Sequence, residues 1–275
     1  MTSTFVLLDS DEESRGETFT RNGRRYAVGT EIPGEAVADK SRDDYLSDFL
    51  APTGIWKSGR YGVHFPPGSE ETARTQMAGT KPTRVGAHVV IFDPFSTSDQ
   101  PTIILGQRAE KVDREGQWEN FGGTVDAGET IGAAATREAE EEIGLHTKIL
   151  TRLRSWVHHR DVSDKDKGRG SMAHETFVVA LTGSEKEFKV TQQRSKWYHR
   201  AVSIDSGLSI RRNTAEHQDA RAYKEQDIDQ VLEKGGGSYN DAIAAFDFVH
   251  YLIEQRDDSR LSQIFSKSQG DLDIP

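Results

Sequence analysis

The sequence contains no cysteine among its 275 residues. Disulfide frameworks, thiol nucleophiles and cysteine-ligated zinc sites are therefore excluded as a basis for its structure or its chemistry. Long apolar runs are missing as well, since none approaches the roughly 20 residues that a membrane-spanning helix requires. The apolar run at residues 5–8 is too short for the core of a signal peptide, and no basic leader precedes it. We therefore expect a cytoplasmic protein with no membrane partner.

Acidic residues outnumber basic ones, with 45 Asp and Glu against 35 Lys and Arg, so the formal net charge is −10. A protein held on nucleic acid or on an anionic membrane by its overall charge would carry the opposite sign. We therefore expect no nucleic-acid partner. A small anionic substrate is compatible with this charge, because a bound divalent cation reverses the field locally.

The apolar pattern divides the chain into three parts. Residues 1–84 are rich in Gly, Arg, Asp and Ser and are predicted to form an irregular N-terminal extension, with a dimerisation arm or a substrate lid as the alternatives. Residues 85–235 form the main domain, and residues 236–275 a C-terminal helix and a polar tail. The predicted strands are residues 85–92, 102–106, 147–157 and 175–181, with weaker candidates at 198–204 and 220–223, and the predicted helices are 129–143 and about 240–255.

An acidic cluster lies where a helix normally avoids it. Glu138, Glu140, Glu141 and Glu142 crowd the C-terminal end of the first predicted helix, where the helix dipole favours basic residues. Helical spacing brings Glu138, Glu141 and Glu142 to one face and turns Glu140 to the far side. Three carboxylates on one face suit a hard cation such as Mg²⁺ or Mn²⁺. A solvated acidic helix end is the simpler alternative.

The segment around this cluster, residues 123–145, resembles the Nudix box. That motif reads Gly, five residues, Glu, seven residues, Arg-Glu, an apolar residue, any residue, Glu-Glu, any residue, Gly and an apolar residue. This chain fills every fixed position, with Gly123, Glu129, Arg137, Glu138, Ala139, Glu141, Glu142, Gly144 and Leu145. Ala139 is a small occupant of its apolar position, and Phe121 stands where relatives often have a proline before the paired glycines. The resemblance covers about residues 84–232.

Membership of the Nudix hydrolase family implies an α/β/α sandwich with a mixed β-sheet, in which the box forms the metal site. The implied reaction is Mg²⁺-dependent hydrolysis, with Mn²⁺ as the alternative ion, of a diphosphate linkage in a nucleoside diphosphate-linked metabolite. An ADP-ribose-like compound and a nucleotide sugar are the expected substrates. The implied metal ligands are Glu138, Glu141 and Glu142, with Arg137 as an orienting partner. Gly123 is expected to approach the substrate through its backbone.

Residues outside the box complete the expected site. Arg108 and Arg114 lie between the second strand and the box, where they could bind a substrate phosphate or simply be solvated. The general base is expected at Glu216, which precedes a short strand, with Glu175 and a water-binding Glu141 as the alternatives. Histidines, His217 among them, are taken as ordinary surface or core residues.

The sequence leaves some alternative functions open and disfavours others. Hydrolysis of nucleoside triphosphates or of a non-nucleotide diphosphate, such as a prenyl diphosphate, fits the same residues, and so does a non-catalytic Nudix module that senses a nucleotide. An isopentenyl diphosphate isomerase would need a cysteine that the chain lacks. RNA decapping is disfavoured because no strong basic run follows the box. Family members are often dimers, so a homodimer is also among the expectations.

Overall fold

The computed structural model of the chain describes residues 3–8, 17–30, 36–48, 82–96, 98–110, 114–158, 172–182, 199–203, 209–213 and 216–265. The strands are β1 (Ser3–Leu8), β2 (Glu17–Arg21), β3 (Arg24–Thr30), β4 (Arg84–Phe92), β5 (Thr102–Arg108), β6 (Trp118–Glu119), β7 (Phe121–Thr124), β8 (Thr147–His158), β9 (Met172–Leu181), β10 (His199–Ser203), β11 (Ser209–Asn213) and β12 (His217–Lys224). The helices are α1 (Arg42–Asp48), α2 (Ile131–Ile143), α3 (Ile228–Val231), α4 (Gly237–Gln255) and α5 (Asp258–Leu261).

A mixed β-sheet with helices confirms the α/β fold that the sequence predicts. The strand order is β12-β5-β4-β9-β8-β1-β3-β2, with β6 paired to β5 and β7 paired to β4, while β10 and β11 form a separate antiparallel pair. Strand β5 has an antiparallel neighbour on each side, so that Gly106 lies opposite Glu119 of β6 and opposite Ala220 of β12. This register decides which side chains meet at the site described below.

The predicted elements of the main domain agree closely with the observed ones. Strand β4 is mostly buried and rich in valine, and β5 begins with buried β-branched residues. Helix α2 begins at Ile131, two residues after its predicted start. Helix α4 begins at Gly237 rather than near residue 240 and ends at Gln255. Strand β9 begins at Met172, so Glu175 lies inside this strand and does not open it.

The N-terminal residues are more regular than expected. Between residues 3 and 30 the chain forms β1, β2 and β3, with β3 paired antiparallel to both of the others, so the prediction of an irregular extension is wrong over this stretch. The Phe5 ring stacks on Tyr26 at a centroid distance of 4.4 Å and lies 5.8 Å from Phe19. These three buried rings give the strands a common apolar face. Residues 49–81 of the expected extension lie outside the described residues, as do residues 266–275 of the tail.

The chain divides into two compact units. Unit 1 comprises Met1–His88, Gly123–Ala135 and Arg152–Phe177. In this unit the backbone of residues 40–42 pairs with the start of α2, because the Arg42 N–H donates to the Glu129 carbonyl at 3.0 Å and the Ile131 N–H donates to the Lys40 carbonyl at 2.9 Å. The start of the helix that carries the acidic cluster is therefore hydrogen-bonded to the N-terminal part of the chain.

Unit 2 comprises Val89–Gly122, Thr136–Thr151 and Val178–Pro275. Its core includes α4, whose Phe246 ring meets Phe92 edge-on at 5.7 Å. At the start of the same helix the Ser238 hydroxyl accepts a hydrogen bond from the Asn120 N–H at 3.2 Å. Within the described part of the chain, no helix is both long and apolar enough to cross a membrane.

Candidate metal centre

The carboxylate of Glu142, near the C-terminal end of α2, is held from two sides in unit 2. Its Oε2 accepts a hydrogen bond from the Gly122 backbone N–H at 2.8 Å, and its Oε1 lies 3.2 Å from Nε2 of His217. Glu142 is only 3% exposed and His217 only 1%. The Glu142 carboxylate is therefore oriented through both of its oxygens.

Glu216 completes a group of three potential metal ligands. Glu142, Glu216 and His217 each offer one ligand atom, and these atoms all lie within 4.8 Å of one another. The position of Glu216 is fixed through its backbone, because its carbonyl accepts a hydrogen bond from the Ala109 N–H at 2.8 Å. A helix and the start of a strand thus bring together two carboxylates and one imidazole.

The electrostatics of Glu142 make its ionised form costly. Burial raises the pKa of the Glu142 carboxyl well above its ordinary value, and the neighbouring carboxyl groups of Glu216 and Glu138 raise it further. The hydrogen bond from Gly122 acts in the opposite direction but is outweighed. A positive charge at this position would therefore favour the ionised carboxylate.

Glu138 lies one turn earlier on the same helix and is perturbed in the same sense. Burial raises the pKa of Glu138 to about 7, although the guanidinium of Arg137 lowers it in part. Nη1 of Arg137 lies 2.9 Å from Oε1 of Glu138 and 3.1 Å from Oε2 of Glu141. The side chain of Glu141 is 54% exposed, so Glu141 is far more accessible to solvent than Glu138 and Glu142.

Glu140 faces away from this group, as helical spacing indicates. Its Oε2 lies 3.1 Å from Nδ1 of His146, and both side chains are about half exposed. Glu140 is therefore a natural control for experiments on its neighbours.

The residues present fit a hard divalent cation. Glu138, Glu142 and Glu216 supply carboxylate oxygens, the donor that Mg²⁺ prefers, and the single imidazole of His217 is also compatible with Mn²⁺. Burial and neighbouring carboxyl groups raise the pKa values of Glu138 and Glu142. A bound cation would relieve that repulsion.

The sequence model of a family described as "NUDIX domain" matches residues 82–236, more than half of the chain. This chain belongs to the Nudix family. The helix α2 and the loop before it are therefore the Nudix box of this protein, and the group around Glu142 lies at the end of the box helix.

Three known proteins illustrate the similarity. "Putative 8-oxo-dGTP diphosphatase 2" of Mycobacterium tuberculosis is 48% identical over 84 residues, which are 30% of this chain and 55% of that protein. "Nucleoside triphosphatase NudI" of Escherichia coli is 27% identical over 107 residues, 38% of this chain and 74% of that protein. A C. elegans Ap4A hydrolase structure is 14% identical with a TM-score of 0.40, over 62% of this chain and 99% of that one. The chain thus spans about half the length of the M. tuberculosis relative.

The position of the His217 side chain depends on a glycine in the adjacent strand β5. A Cβ atom at Gly106 would lie 2.6 Å from Nδ1 of His217 and 2.8 Å from Cε1 of Phe121. The imidazole and the Phe121 ring are themselves in edge-on contact at 5.1 Å. Gly106 therefore leaves the space that lets His217 reach Glu142.

The two candidate substrate-binding arginines share one carboxylate. Nη1 of Arg108 lies 2.8 Å from Oε1 of Glu119, and Nη2 of Arg114 lies 3.1 Å from its Oε2. Arg108 pairs with His217 in the register of β5 and β12.

Gly123, the first glycine of the box, lies in β7. The backbone contact to Glu142 is made by its neighbour Gly122.

Glu175, the alternative general base, belongs to a buried network in unit 1. Its Oε2 accepts from Nε of Arg152 at 2.9 Å, and its Oε1 accepts from the Tyr45 hydroxyl at 2.6 Å. Glu175 is fully buried. Its two oxygens are therefore engaged in contacts that hold α1, β8 and β9 together.

Two residues of this neighbourhood are not predicted from the sequence. The sequence pattern predicts an ordinary surface or core histidine at His217, and it gives no functional signal at Glu119. The adjacency of Glu216 and His217 was a weak signal for the first. The face of His217 could not be read from strand alternation, because a register shift separates His217 from Asp219.

Proposed function

We propose that this chain is a hydrolase that cleaves a diphosphate linkage by attack of water on phosphorus. The expected substrate is a nucleoside diphosphate-linked metabolite, either an ADP-ribose-like compound or a nucleotide sugar. The proposal rests on the cluster of Glu142, Glu216 and His217 at the end of the box helix, in which Glu142 and His217 are buried, with Glu138 beside it. Such crowding of carboxyl groups is costly unless it serves a bound cation.

Mg²⁺ is the proposed cofactor, with Mn²⁺ as the alternative. The box assigns Glu138, Glu141 and Glu142 as its ligands, and the proximity of Glu216 to Glu142 adds a fourth carboxylate to this set. When bound, the cation would neutralise charge on the diphosphate and lower the pKa of a coordinated water. The protein itself orients Glu142 through Gly122.

Arg137 is proposed to restrain the more exposed part of the carboxylate set. Its guanidinium donates hydrogen bonds to both Glu138 and Glu141. Its positive charge offsets part of the repulsion between the two glutamates. We therefore assign Arg137 a positioning role.

Glu216 is the proposed general base. Its carboxyl group lies close enough to Glu142 to raise the pKa of that residue, and its backbone is anchored to Ala109. Glu175 is less suited, because both of its oxygens are engaged by Arg152 and Tyr45. Turnover by Glu216→Gln tests the assignment, and near-normal rates would exclude Glu216 as the base.

Nucleoside triphosphates are the second candidate substrate class. The names of two relatives, an 8-oxo-dGTP diphosphatase and a nucleoside triphosphatase, favour this class over a prenyl diphosphate. The two candidate classes differ in the group that leaves, since a triphosphate yields inorganic phosphate or pyrophosphate and a nucleotide sugar yields a sugar phosphate. A single assay can therefore separate them.

The decisive experiment is a substrate panel of ADP-ribose, nucleotide sugars and nucleoside triphosphates with Mg²⁺, run in ¹⁸O-labelled water and analysed by mass spectrometry. We expect one class to be cleaved, with the label on a phosphate group of a product, as attack on phosphorus requires. Label in a hydroxyl group bonded to carbon would indicate attack on carbon and would contradict the proposed reaction. Cation binding without turnover of any compound would favour the nucleotide-sensing module.

The domain bounds, the oligomeric state and the cellular location are also proposals. We propose residues 1–84 as an N-terminal extension, residues 85–235 as the hydrolase domain and residues 236–275 as a C-terminal segment. A homodimer is to be tested by sedimentation of the purified chain, and the cytoplasmic location by fractionation. None of these expectations affects the residues assigned to the site.

A further inference from the structure

Beside the proposed metal ligands, the carboxylate of Glu119 forms ion pairs with two arginines. Glu119 is buried, and its two oxygens contact different guanidinium groups, Oε1 that of Arg108 and Oε2 that of Arg114. The group therefore carries a net charge of about +1 at neutral pH, because two cations share one anion. Charge pairing alone would require only one arginine.

The arginine pair lies on the same face of the sheet as His217. Arg108 is two residues after Gly106 in β5, so the Arg108 side chain and a Cβ built at Gly106 lie on the same face of the sheet. The direction of a Cβ at Gly106 leads to the His217 imidazole, 2.6 Å away. Glu119 lies directly opposite Gly106 and therefore shares this face. The arginine pair and the candidate metal centre are thus neighbours.

The residues that lead into β6 are hydrogen-bonded to the end of β5. The Gly116 N–H donates to the Arg108 carbonyl, and the Gln117 N–H donates to the Arg114 carbonyl, both at 3.1 Å. Arg114 itself has a φ of 59°, in the left-handed region that residues other than glycine seldom occupy. Backbone strain of this kind is maintained where the surrounding structure requires it. Here it brings a second guanidinium to Glu119.

We propose that Glu119 is a positioning residue that holds Arg108 and Arg114 together as a binding site for phosphate oxygens of the substrate. A guanidinium binds phosphate with several N–H donors in a fixed plane. Two of them beside a metal centre suit an anion that carries two linked phosphates. The chemical class of the ligand, a diphosphate, rests on the proposed function, whereas the role of Glu119 rests on the contacts above.

A simple structural ion pair would predict a different outcome from a positioning role. If Glu119 only closed the β5–β6 turn, its substitution would lower stability and leave substrate affinity unchanged. If it positions the arginines, Glu119→Gln should raise KM about tenfold, since small displacements of binding groups have effects of this size. We expect kcat and the Mg²⁺ concentration for half-maximal activity to change less than about threefold.

A double-mutant cycle tests whether Glu119 acts through Arg114. Arg114→Ala changes a side chain that is 56% exposed, so it should fold normally and raise KM by itself. The combined variant should be no worse than the more affected single variant, because residues that act as one unit are not additive. Glu110→Gln removes the same charge from an exposed position before the turn and should leave KM unchanged.

Binding without turnover separates this proposal from the proposed function. Methylenediphosphonate, which has a carbon in place of the bridging oxygen and is not hydrolysed, is titrated with Mg²⁺ into each variant in a calorimeter. We expect wild type and Glu110→Gln to bind it equally, and Glu119→Gln and Arg114→Ala to bind it about tenfold more weakly.

Equal binding by wild type, Glu119→Gln and Arg114→Ala would overturn the inference even if hydrolysis is observed, and so would an absence of binding by wild type. A binding difference in a protein that cleaves none of the panel compounds would instead overturn the proposed function alone. If Glu119→Gln does not fold, as judged by its thermal melt, Glu119→Asp, which keeps the charge but shortens the side chain, supplies the comparison: weaker binding is expected, and binding equal to wild type would overturn the inference.

Discussion

Nε2 of His217 lies 3.2 Å from Oε1 of Glu142, and both side chains are almost completely buried. The other carboxylate oxygen accepts the Gly122 N–H. Glu142 is thus oriented by one residue from β12 and one from the strand before the box helix. Both of these partner residues lie outside the Nudix box. The motif alone therefore does not determine how Glu142 is oriented in the candidate metal centre.

Substitution of His217 should weaken metal activation. Groups that orient a metal ligand typically contribute a factor of about 10–100 to metal affinity. We expect His217→Ala to raise the half-activating Mg²⁺ concentration by that factor, and His217→Gln, which retains an N–H donor, to raise it less. His146→Ala is the matched control, because His146 is half exposed and forms an ion pair with the outward-facing Glu140. Unchanged metal activation in His217→Ala would refute the orienting role.

Substitution of Glu142 should have the largest effect among the box glutamates. Glu142→Gln removes a buried ligand charge while it keeps the size of the side chain, and the loss of several kcal/mol of metal-mediated stabilisation corresponds to about 10²–10³ in kcat/KM. Steady-state rates at saturating Mg²⁺ give the measurement. Glu140→Gln removes the same charge from the same helix turn and should retain nearly full activity. Equal losses in both variants would indicate a general effect on the helix.

Much of this arrangement follows from local sequence. Strands β4 and β5 contain short apolar runs rich in valine and isoleucine, and α2 has a fixed motif with a glycine at its end, so their type and approximate bounds are predictable. Helical spacing alone placed Glu140 on the side away from Glu138. The N-terminal hairpin also has a local signal, since an Asn-Gly pair between strands predicts a tight turn, and Asn22 and Gly23 both have positive φ values, 49° and 77°.

The remainder depends on pairing between distant segments. The contact between His217 and Glu142 requires β12 to lie beside β5, a register shift after His217, and a glycine at position 106. The contact of Glu119 with Arg108 requires β6 to pair with β5 at Gly106. Periodicity in one segment carries no information on the register of its partner. These residues could therefore be assigned only from the fold.

Gly106→Ala should disturb the site through steric contact alone. The added methyl would lie 2.6 Å from Nδ1 of His217, and overpacking in a close-packed interior costs about 1–3 kcal/mol. We expect a melting temperature lower by several degrees, together with weaker Mg²⁺ activation. In the double variant Gly106→Ala/His217→Ala the imidazole is gone, so the methyl should cost less than it does in wild type. An additive result would show that His217 is not the group displaced.

The buried network of Glu175 should make a large contribution to stability. Arg152→Ala would leave the Glu175 carboxylate buried without its ion pair, at a cost of about 3–5 kcal/mol. Tyr45→Phe removes one hydrogen bond and should cost about 1–2 kcal/mol. Urea unfolding measures both changes. Arg42→Ala, which breaks an exposed pair with Asp43, should change stability by less than about 1 kcal/mol.

The stability of the metal-free protein should fall as pH rises through neutrality. The pKa of Glu138 is raised by burial from 4.5 to about 7, so between these values the unfolded chain releases a proton that the folded protein retains. The stabilisation is full below pH 4.5 and is lost as pH rises through about 7. This shift corresponds to a free energy on the order of 3 kcal/mol, and the raised pKa of Glu142 acts in the same direction.

Mg²⁺ should reverse this trend, because it binds the ionised carboxylates. Thermal melts in a chelator and in excess Mg²⁺, at about pH 5 and about pH 8, should show little stabilisation by the ion in acid and a clear increase at the higher pH. In Glu138→Gln the fall in metal-free stability with pH should be smaller, since one titrating group is absent, whereas Glu140→Gln should behave like wild type. A metal-induced stabilisation that is independent of pH would contradict the assignment of Glu138 to the metal centre, because a ligand that must lose a proton near neutrality ties metal binding to pH.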